Sequence, residues 1–340
     1  MKKVVGKPTE LKNVNSSLIM NSIRTRGIAT RGEISKDTGL SHTTVRSILN
    51  ELIEMSEIIS VGLDKSSGGR RAERYEINSN KRYLMVLLIE ENKLVYRIIN
   101  TLGKILEENT KNLRSLEDIE DVGDIIEEVY KVYHNIEGIG ISVPGIVTNY
   151  GYLSGIKMED WKEIKIKEYL SKRFNIPILL ENDINSISIA FYNDYIEKKK
   201  CNEISLVYIS FTSLGVGAGI VIDGDIIKGN NGYAGEIGFI PVGDTFLNAK
   251  IMSNLDDEEY IEVIINTIKT ISAIINPSVV VLGGSNFKYS IKDKIIERYN
   301  KEFSIKTEIL VQEKSNNYAL EGIKEKALNL INKEVKLIKN

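Results

Sequence analysis

Cysteine is nearly missing from this chain of 340 residues, where Cys201 stands alone. No intrachain disulfide can form, and no cysteine cluster is available to hold zinc. Histidine is almost as scarce, with only His42 and His134. A tetrahedral thiolate zinc site within one chain is therefore not expected. Long apolar runs are lacking too, since none reaches the roughly 18–20 residues that span a bilayer. The opening "MKKVVGKPTELKN" has basic residues with no apolar stretch behind them. A secretory leader is not expected, and the cytoplasm is the expected location.

A large net charge is absent as well, the balance being −2 at pH 7. What is present is a globular composition, 42% hydrophobic and 27% charged, with apolar mass enough for real cores. The length predicts two or three domains. Charge is unevenly spread. Residues 1–77 hold 13 Lys/Arg against 9 Asp/Glu, a net of +4 that leaves −6 for the remainder. A mildly basic head on an acidic body confines any nucleic-acid contact to the head.

In the head, "VNSSLIMNSIR" (14–24) puts Val14, Leu18, Ile19 and Ile23 on one helical face. "TRGE" (30–33) fits a capping box, in which Thr30 and Glu33 satisfy backbone donors reciprocally. The short helix that follows ends at Gly39, where a left-handed backbone costs little. Leu40 can anchor the turn, and Ser41 is a good N-cap for "HTTVRSILNELIEM". There Val45, Ile48, Leu49 and Leu52 face inward, while His42, Thr43, Arg46, Ser47 and Asn50 project from the other side. Two helices joined by such a turn make a helix-turn-helix whose second helix suits a DNA major groove. The alternative is a helical hairpin with a merely solvated polar face. Two strand-like runs (57–62 and 72–77) then flank "LDKSSGGRR", a wing whose tip carries Lys65, Arg70 and Arg71. Glycines there let the backbone approach DNA while the cations reach phosphates or a narrow minor groove, although an acidic protein could use the same tip. Ser41, His42, Thr43, Thr44, Arg46, Ser47, Lys65, Arg70 and Arg71 are the candidate DNA-binding residues.

The body reads as an α/β pattern run twice. A meander (82–106), a helical segment (116–134), the strand "IEGIGISVPGIV", a helix around 161–173, "IPILLEN" and a helix 184–197 come first. A hairpin (203–229), helix 257–275, strand 278–284, helix 289–302, strand 307–312 and a C-terminal helix follow. Two related lobes with a cleft between them are expected. The expected organisation is a winged helix-turn-helix at 1–77, an N-terminal lobe at 82–198 and a C-terminal lobe at 199–340.

The ordered set "SVPGIV", "LLENDINSISIA", "SLGVGAGIVIDG", "NGYAGEIGF" and "VVVLGG" resembles the ROK family (repressors, open reading frames, sugar kinases). The head in front of it makes the chain similar to that family's sugar-responsive, xylose-repressor-like regulators. The resemblance implies an actin/hexokinase-like two-lobed body. It also implies what is altered. A family kinase would carry an Asp-x-Gly-Gly-Thr phosphate loop where this chain has "LLIEENKL", with Glu90 and Glu91 in place of glycines. The second loop has Leu214 for the hydroxyl-bearing residue, so "SLGVGAG" is either its remnant or a hairpin for close strand packing. "LGG" (282–284) is either an adenosine-side motif or a strand-to-helix turn. Asn182 and Asp183 match the hydroxyl-binding pair, or else cap the helix that follows them. Glu236 matches the family's acid, but Phe239 replaces the His that would serve sugar and zinc. The zinc segment is missing and the second lobe is shortened.

The implied function is a DNA-binding transcriptional regulator, a repressor of carbohydrate-related genes, with no catalytic residues, cofactor or metal. Its expected partners are a double-stranded DNA operator and a small sugar effector, not a membrane, and it acts as a homodimer or higher homo-oligomer. Asn182, Asp183, Glu236 and Phe239 are the candidate ligand-binding residues, with Phe239 stacking on a sugar face. Alternatives are a regulator whose body only dimerises or binds a non-sugar ligand, a sugar kinase with an accessory DNA-binding head, and a pure interaction protein.

Overall fold

The computed structural model describes residues 8–64, 71–90, 92–115, 117–155, 161–201, 204–303, 307–313 and 316–331. The head contains α1 (Pro8–Arg26), β1 (Ile28–Thr30), α2 (Arg31–Thr38), α3 (His42–Glu54), β2 (Ile58–Leu63) and β3 (Glu73–Ile77). Local chemistry sets these boundaries. Thr30 Oγ1 accepts from the Glu33 N–H, and the Glu33 carboxylate accepts from the Thr30 N–H at 2.8 Å. Gly39, at φ 70°, ends α2 by donating to Ser35 O. Ser41 caps α3. Ile19, Ile23, Ile34, Val45, Ile48 and Leu49 then meet Ile58, Tyr75 and Ile77 in one core. Each fully buried aliphatic side chain contributes about 1.5–3 kcal/mol relative to exposure. Helix α1 starts six residues before Val14, and Val14 and Leu18 lie at the margin of this core rather than inside it. The short β1, absent from the sequence pattern, pairs with β3, so β3 is the centre of a three-stranded antiparallel sheet.

The body's first sheet has the order β11-β7-β4-β5-β6. Strands β4 (Tyr83–Glu90), β5 (Lys93–Asn100) and β6 (Ile105–Asn112) form an antiparallel meander. Strands β7 (Ile136–Val143) and β11 (Ile178–Asn182) extend it in parallel. Its outer face packs under α4 (Ile119–Tyr130) and α5 (Ile166–Phe174), through Val122, Ile126 and Leu170. A small sheet, β8 (Ile146–Val147), β9 (Tyr152–Ser154) and β10 (Lys162–Ile164), rises beside it.

Residues 161–173, expected as one helix, are divided between β10 and α5. Ile164, the last residue of β10, and Ile166, the first of α5, are both buried, so the junction of the two elements is anchored inward. Pairing of Ile164 with Tyr152 fixes the register.

The second sheet repeats the first, in the order β18-β17-β12-β13-β14. Here β12 (Ser205–Thr212), β13 (Gly215–Ile222) and β14 (Asp225–Ile226) make the meander, and β17 (Val279–Gly283) and β18 (Glu308–Gln312) the parallel extension. Between β14 and β17 come the short hairpin β15 (Pro241–Val242) and β16 (Thr245–Phe246), then α7 (Leu247–Met252) and α8 (Asp257–Ile275). Helix α8 and α9 (Lys292–Glu302) cover the outer face. Between the sheets lie α6 (Asp183–Lys199) and α10 (Asn316–Ile331). Ile187, Leu320 and Ile323 join Leu84 and Val86 of the first sheet to Leu206 and Val281 of the second in one apolar layer. Helix α10, the last in sequence, returns to the first sheet, where Ile323 and Ala327 press on Gly140 of β7.

Candidate functional site

Two places carry the polar groups singled out in the sequence. The first is the outer face of α3. Ser41, His42, Thr43, Arg46 and Ser47 are exposed, and Thr44 is half-buried. The Ser41 hydroxyl accepts from Thr44 N at 3.2 Å and lies 2.8 and 2.9 Å from the Thr43 and Thr44 hydroxyls. It is engaged in capping, and it gathers both threonines at the tip of the helix. Arg26 and Ser22 of α1 both donate to Asp37 of α2, which holds that carboxyl down at about 2 and locks the two helices together.

Burial and the Glu73 carboxylate push the Tyr75 hydroxyl up to about 12, against the pull of two nearby cations, Arg31 and Arg46. Arg31, exposed at the start of α2, is thus a second cation within electrostatic reach of Tyr75, and the sequence reading had missed it. Its only signal was its place directly after the Thr30 cap. In the wing, Asp64 N donates to Ala72 O at 2.7 Å, so the hairpin is closed just before its tip. Arg71 is exposed, whereas Lys65 and Arg70 lie outside the described residues.

The second place is the cleft between the two sheets. Asn182, Asp183, Glu236 and Phe239 all line one open-mouthed cavity of about 90 Å³, together with Trp161, Leu214 and Asn248. The chain directions explain the convergence. Strand β11 ends at Asn182, so its tip and the first turn of α6 point into the cleft. Glu236 arrives from the other side on a loop docked to β13 by a 2.7 Å bond from Ala218 N to Gly235 O. A side chain at Gly235 would collide with the Ala218 carbonyl oxygen.

Asn182 is the cap of α6. Its Oδ1 accepts from Asn185 N at 2.9 Å, and its Nδ2 donates to Gly145 O at 3.0 Å. Phe239 meets Trp161 edge-on at 5.8 Å and Phe246 at 6.2 Å, and Trp161 also meets Tyr233 at 5.8 Å. These aromatics form one wall. Trp161 had been missed because its segment read as helix.

Asp183 also borders a second cavity of about 440 Å³, reached past Leu214 and lined by Glu90, Ser210, Ser213 and Gly284. Burial pushes the Asp183 carboxyl up to about 7, the Glu90 and Glu236 carboxylates add to that push, and the Ile184 N–H opposes it. Burial raises Glu236 as well. Glu91 lies outside the described residues. Beside the cavity, Glu181 is buried at 1% exposure but bridges Lys228 and Lys326, whose charges hold its carboxyl below the usual range against its burial. Among the described residues, no group of His, Cys, Asp or Glu side chains gathers as metal ligands would. Phe239 offers none.

Residues 91–253 match the family profile described as ROK family. Over that segment the body is similar to the ROK family. The xylose repressor of Bacillus spizizenii is 25% identical over 245 residues, which cover 70% of this chain and 63% of that protein. The chain thus spans about three-fifths of the length of the curated relatives it matches. Among solved structures, a ROK family transcriptional regulator described as a homologue of the E. coli MLC protein superposes with a TM-score of 0.68 at 19% identity. It covers 94% of this chain and 97% of its own. A putative N-acetylmannosamine kinase from Listeria monocytogenes superposes at 0.59 with 16% identity, covering 74% of this chain and all of its own. The body shares the two-lobed actin/hexokinase-like fold of these solved structures.

Proposed function

We propose that this chain is a sequence-specific DNA-binding transcriptional regulator, a repressor of carbohydrate-related genes acting in the cytoplasm. The observation that carries the reading is the exposed polar face of α3, which includes Arg46, mounted on a capped helix pair. Residues 41–47 enter the major groove, and the wing with Arg71 reaches the backbone. The ROK body pairs two copies for a pseudo-palindromic operator. A small polyhydroxy effector enters the cleft at Asp183, Glu236 and Phe239. Because the cleft is formed by both lobes, effector binding and operator binding are reciprocally coupled. The repressor names of the relatives support this reading.

The chain is not an enzyme on this reading. Likeness to a kinase fold argues the other way, as do Lys93 and Ser213 in the second cavity, but Glu90 and Asp183 bring carboxylates to that cavity that would oppose a transferred phosphate. The protein is inferred to hold no zinc.

The test is binding of the full chain to duplex DNA from upstream of its own and neighbouring genes, alongside an ATP-dependent sugar phosphorylation assay. Saturable, competitor-resistant binding with no turnover is expected. Turnover without DNA binding would sink the proposal.

A further inference from the structure

Hydrogen-bonding capacity around the smaller cavity is one-sided. Its Asp183 and Glu236 carboxylates are acceptors, and none of its described lining residues is Lys, Arg or His. Most of the side-chain donors are already engaged, although Asn248 accepts through its Oδ1 and keeps its amide N–H groups. The Asn182 amide N–H goes to Gly145 O, the Ser154 hydroxyl to Pro144 O and the Thr212 hydroxyl to Gly215 O. Several of the wall's main-chain N–H groups are occupied too: Ile184 by Asp183, Leu214 by Thr212, Val216 by Asn248 and Gly145 by Val143. No hydrogen bond from a described group reaches the Glu236 carboxylate. A wall with two carboxylates and few free donors favours a molecule that brings donors, and it repels phosphate or carboxylate.

Ammonium is the strongest such group, with three donors and a positive charge. Trp161 and Phe239 at the same wall favour a cation further, since aromatic faces attract positive charge. The raised Asp183 carboxyl agrees with a site whose negative charge lacks a partner.

We propose that this cavity selects a small hydroxylated molecule carrying an ammonium group, held between Asp183 and Glu236 with its apolar side against Trp161 and Phe239. The proposal rests on the effector-cleft reading and narrows its ligand to a cationic class. Neutral sugars offer hydroxyl donors without charge, and sugar phosphates carry the wrong charge.

The test is calorimetric titration of the full chain near neutral pH with D-glucosamine, N-acetyl-D-glucosamine, D-glucose and D-glucosamine 6-phosphate. Glucosamine is expected to bind about tenfold to a hundredfold more tightly than its N-acetyl and hydroxyl counterparts, as a charge-assisted hydrogen bond would give. The phosphate should bind weakest. Glu236→Gln and Asp183→Asn should each bring glucosamine and N-acetylglucosamine to comparable affinity, with unfolding temperatures measured to show that both variants fold. Equal or tighter binding of glucose, N-acetylglucosamine or the phosphate overturns the proposal. So does a preference that survives both variants, or no heat from any of the four. DNA binding is measured independently, so a failure here leaves the regulator reading to be judged by its own assay.

Discussion

In the head, cations stand in water: Arg46, Arg31 and Arg71 are exposed, and the polar groups around them point outward. In the cleft, carboxylates are enclosed: Asp183 and Glu236 both border a cavity whose lining holds no described cation. The same chain thus treats charge in two ways. An exposed cation is hydrated at little cost, and it gains energy when it displaces counterions from a phosphate backbone. An enclosed carboxylate loses hydration and raises its pKa until something compensates it. The nearby Glu181 shows the compensated case, since two lysines hold its buried carboxyl down. The contrast separates a surface ready for a large polyanion from a cavity that lacks a small donor.

The largest expected effect breaks the head and leaves the cleft. Leu49 is 1% exposed in the head core, so Leu49→Ala should cost about 2–5 kcal/mol of head stability. DNA binding should fall with it, while calorimetric ligand binding in the cleft stays unchanged. Loss of both would show that the two regions unfold as one.

Next comes the unpaired charge. Asp183 titrates near 7 in the folded chain, above its ordinary value of 3.8. Between those values the folded state binds more protons than the unfolded one, so stability falls as pH rises and the full penalty is present above about 7. Asp183→Asn should therefore stabilise the chain at alkaline pH by about 2–4 kcal/mol. The gain should vanish as pH falls into the ordinary carboxylate range. Glu90 and Glu236, the carboxylates facing it, should sharpen the effect. Denaturant unfolding at several pH values checks it, and a destabilised variant at high pH would contradict it.

A smaller effect is expected at Asn182. Removing this cap in Asn182→Ala should cost about 0.5–2 kcal/mol of stability. Its amide is engaged with Asn185 N and Gly145 O, so ligand affinity should change less than in the Asp183 variant. Parallel unfolding and titration curves decide.

Much of this was legible because the signals were local. Thr30, Gly39 and Ser41 mark helix ends by their own backbone chemistry, and the spacing of Val45, Ile48, Leu49 and Leu52 fixes the buried face of α3. Signals that needed a distant partner were not legible. The strand β10 exists only because Tyr152 and Leu153 lie alongside it. Helix α10 reads as amphipathic, but no local pattern says that it covers β7 of the first sheet. Asn182 could be either cap or ligand group until the distance to Asn185 was known. Trp161 joined the aromatic wall, and Glu90 the charge around Asp183, across long stretches of chain.

The central claim is that the head reads DNA with α3 and grips it with the wing. The most direct measurement compares Arg46→Ala with Arg71→Ala by fluorescence anisotropy, on specific and scrambled duplexes over a range of salt. Arg46→Ala should weaken the specific duplex by about 1–3 kcal/mol and leave scrambled DNA little changed. Arg71→Ala should weaken both alike and flatten the log–log salt slope by about one unit. If both variants bind the specific duplex as tightly as the unaltered chain, with the same salt slope, the head is not the DNA-reading element.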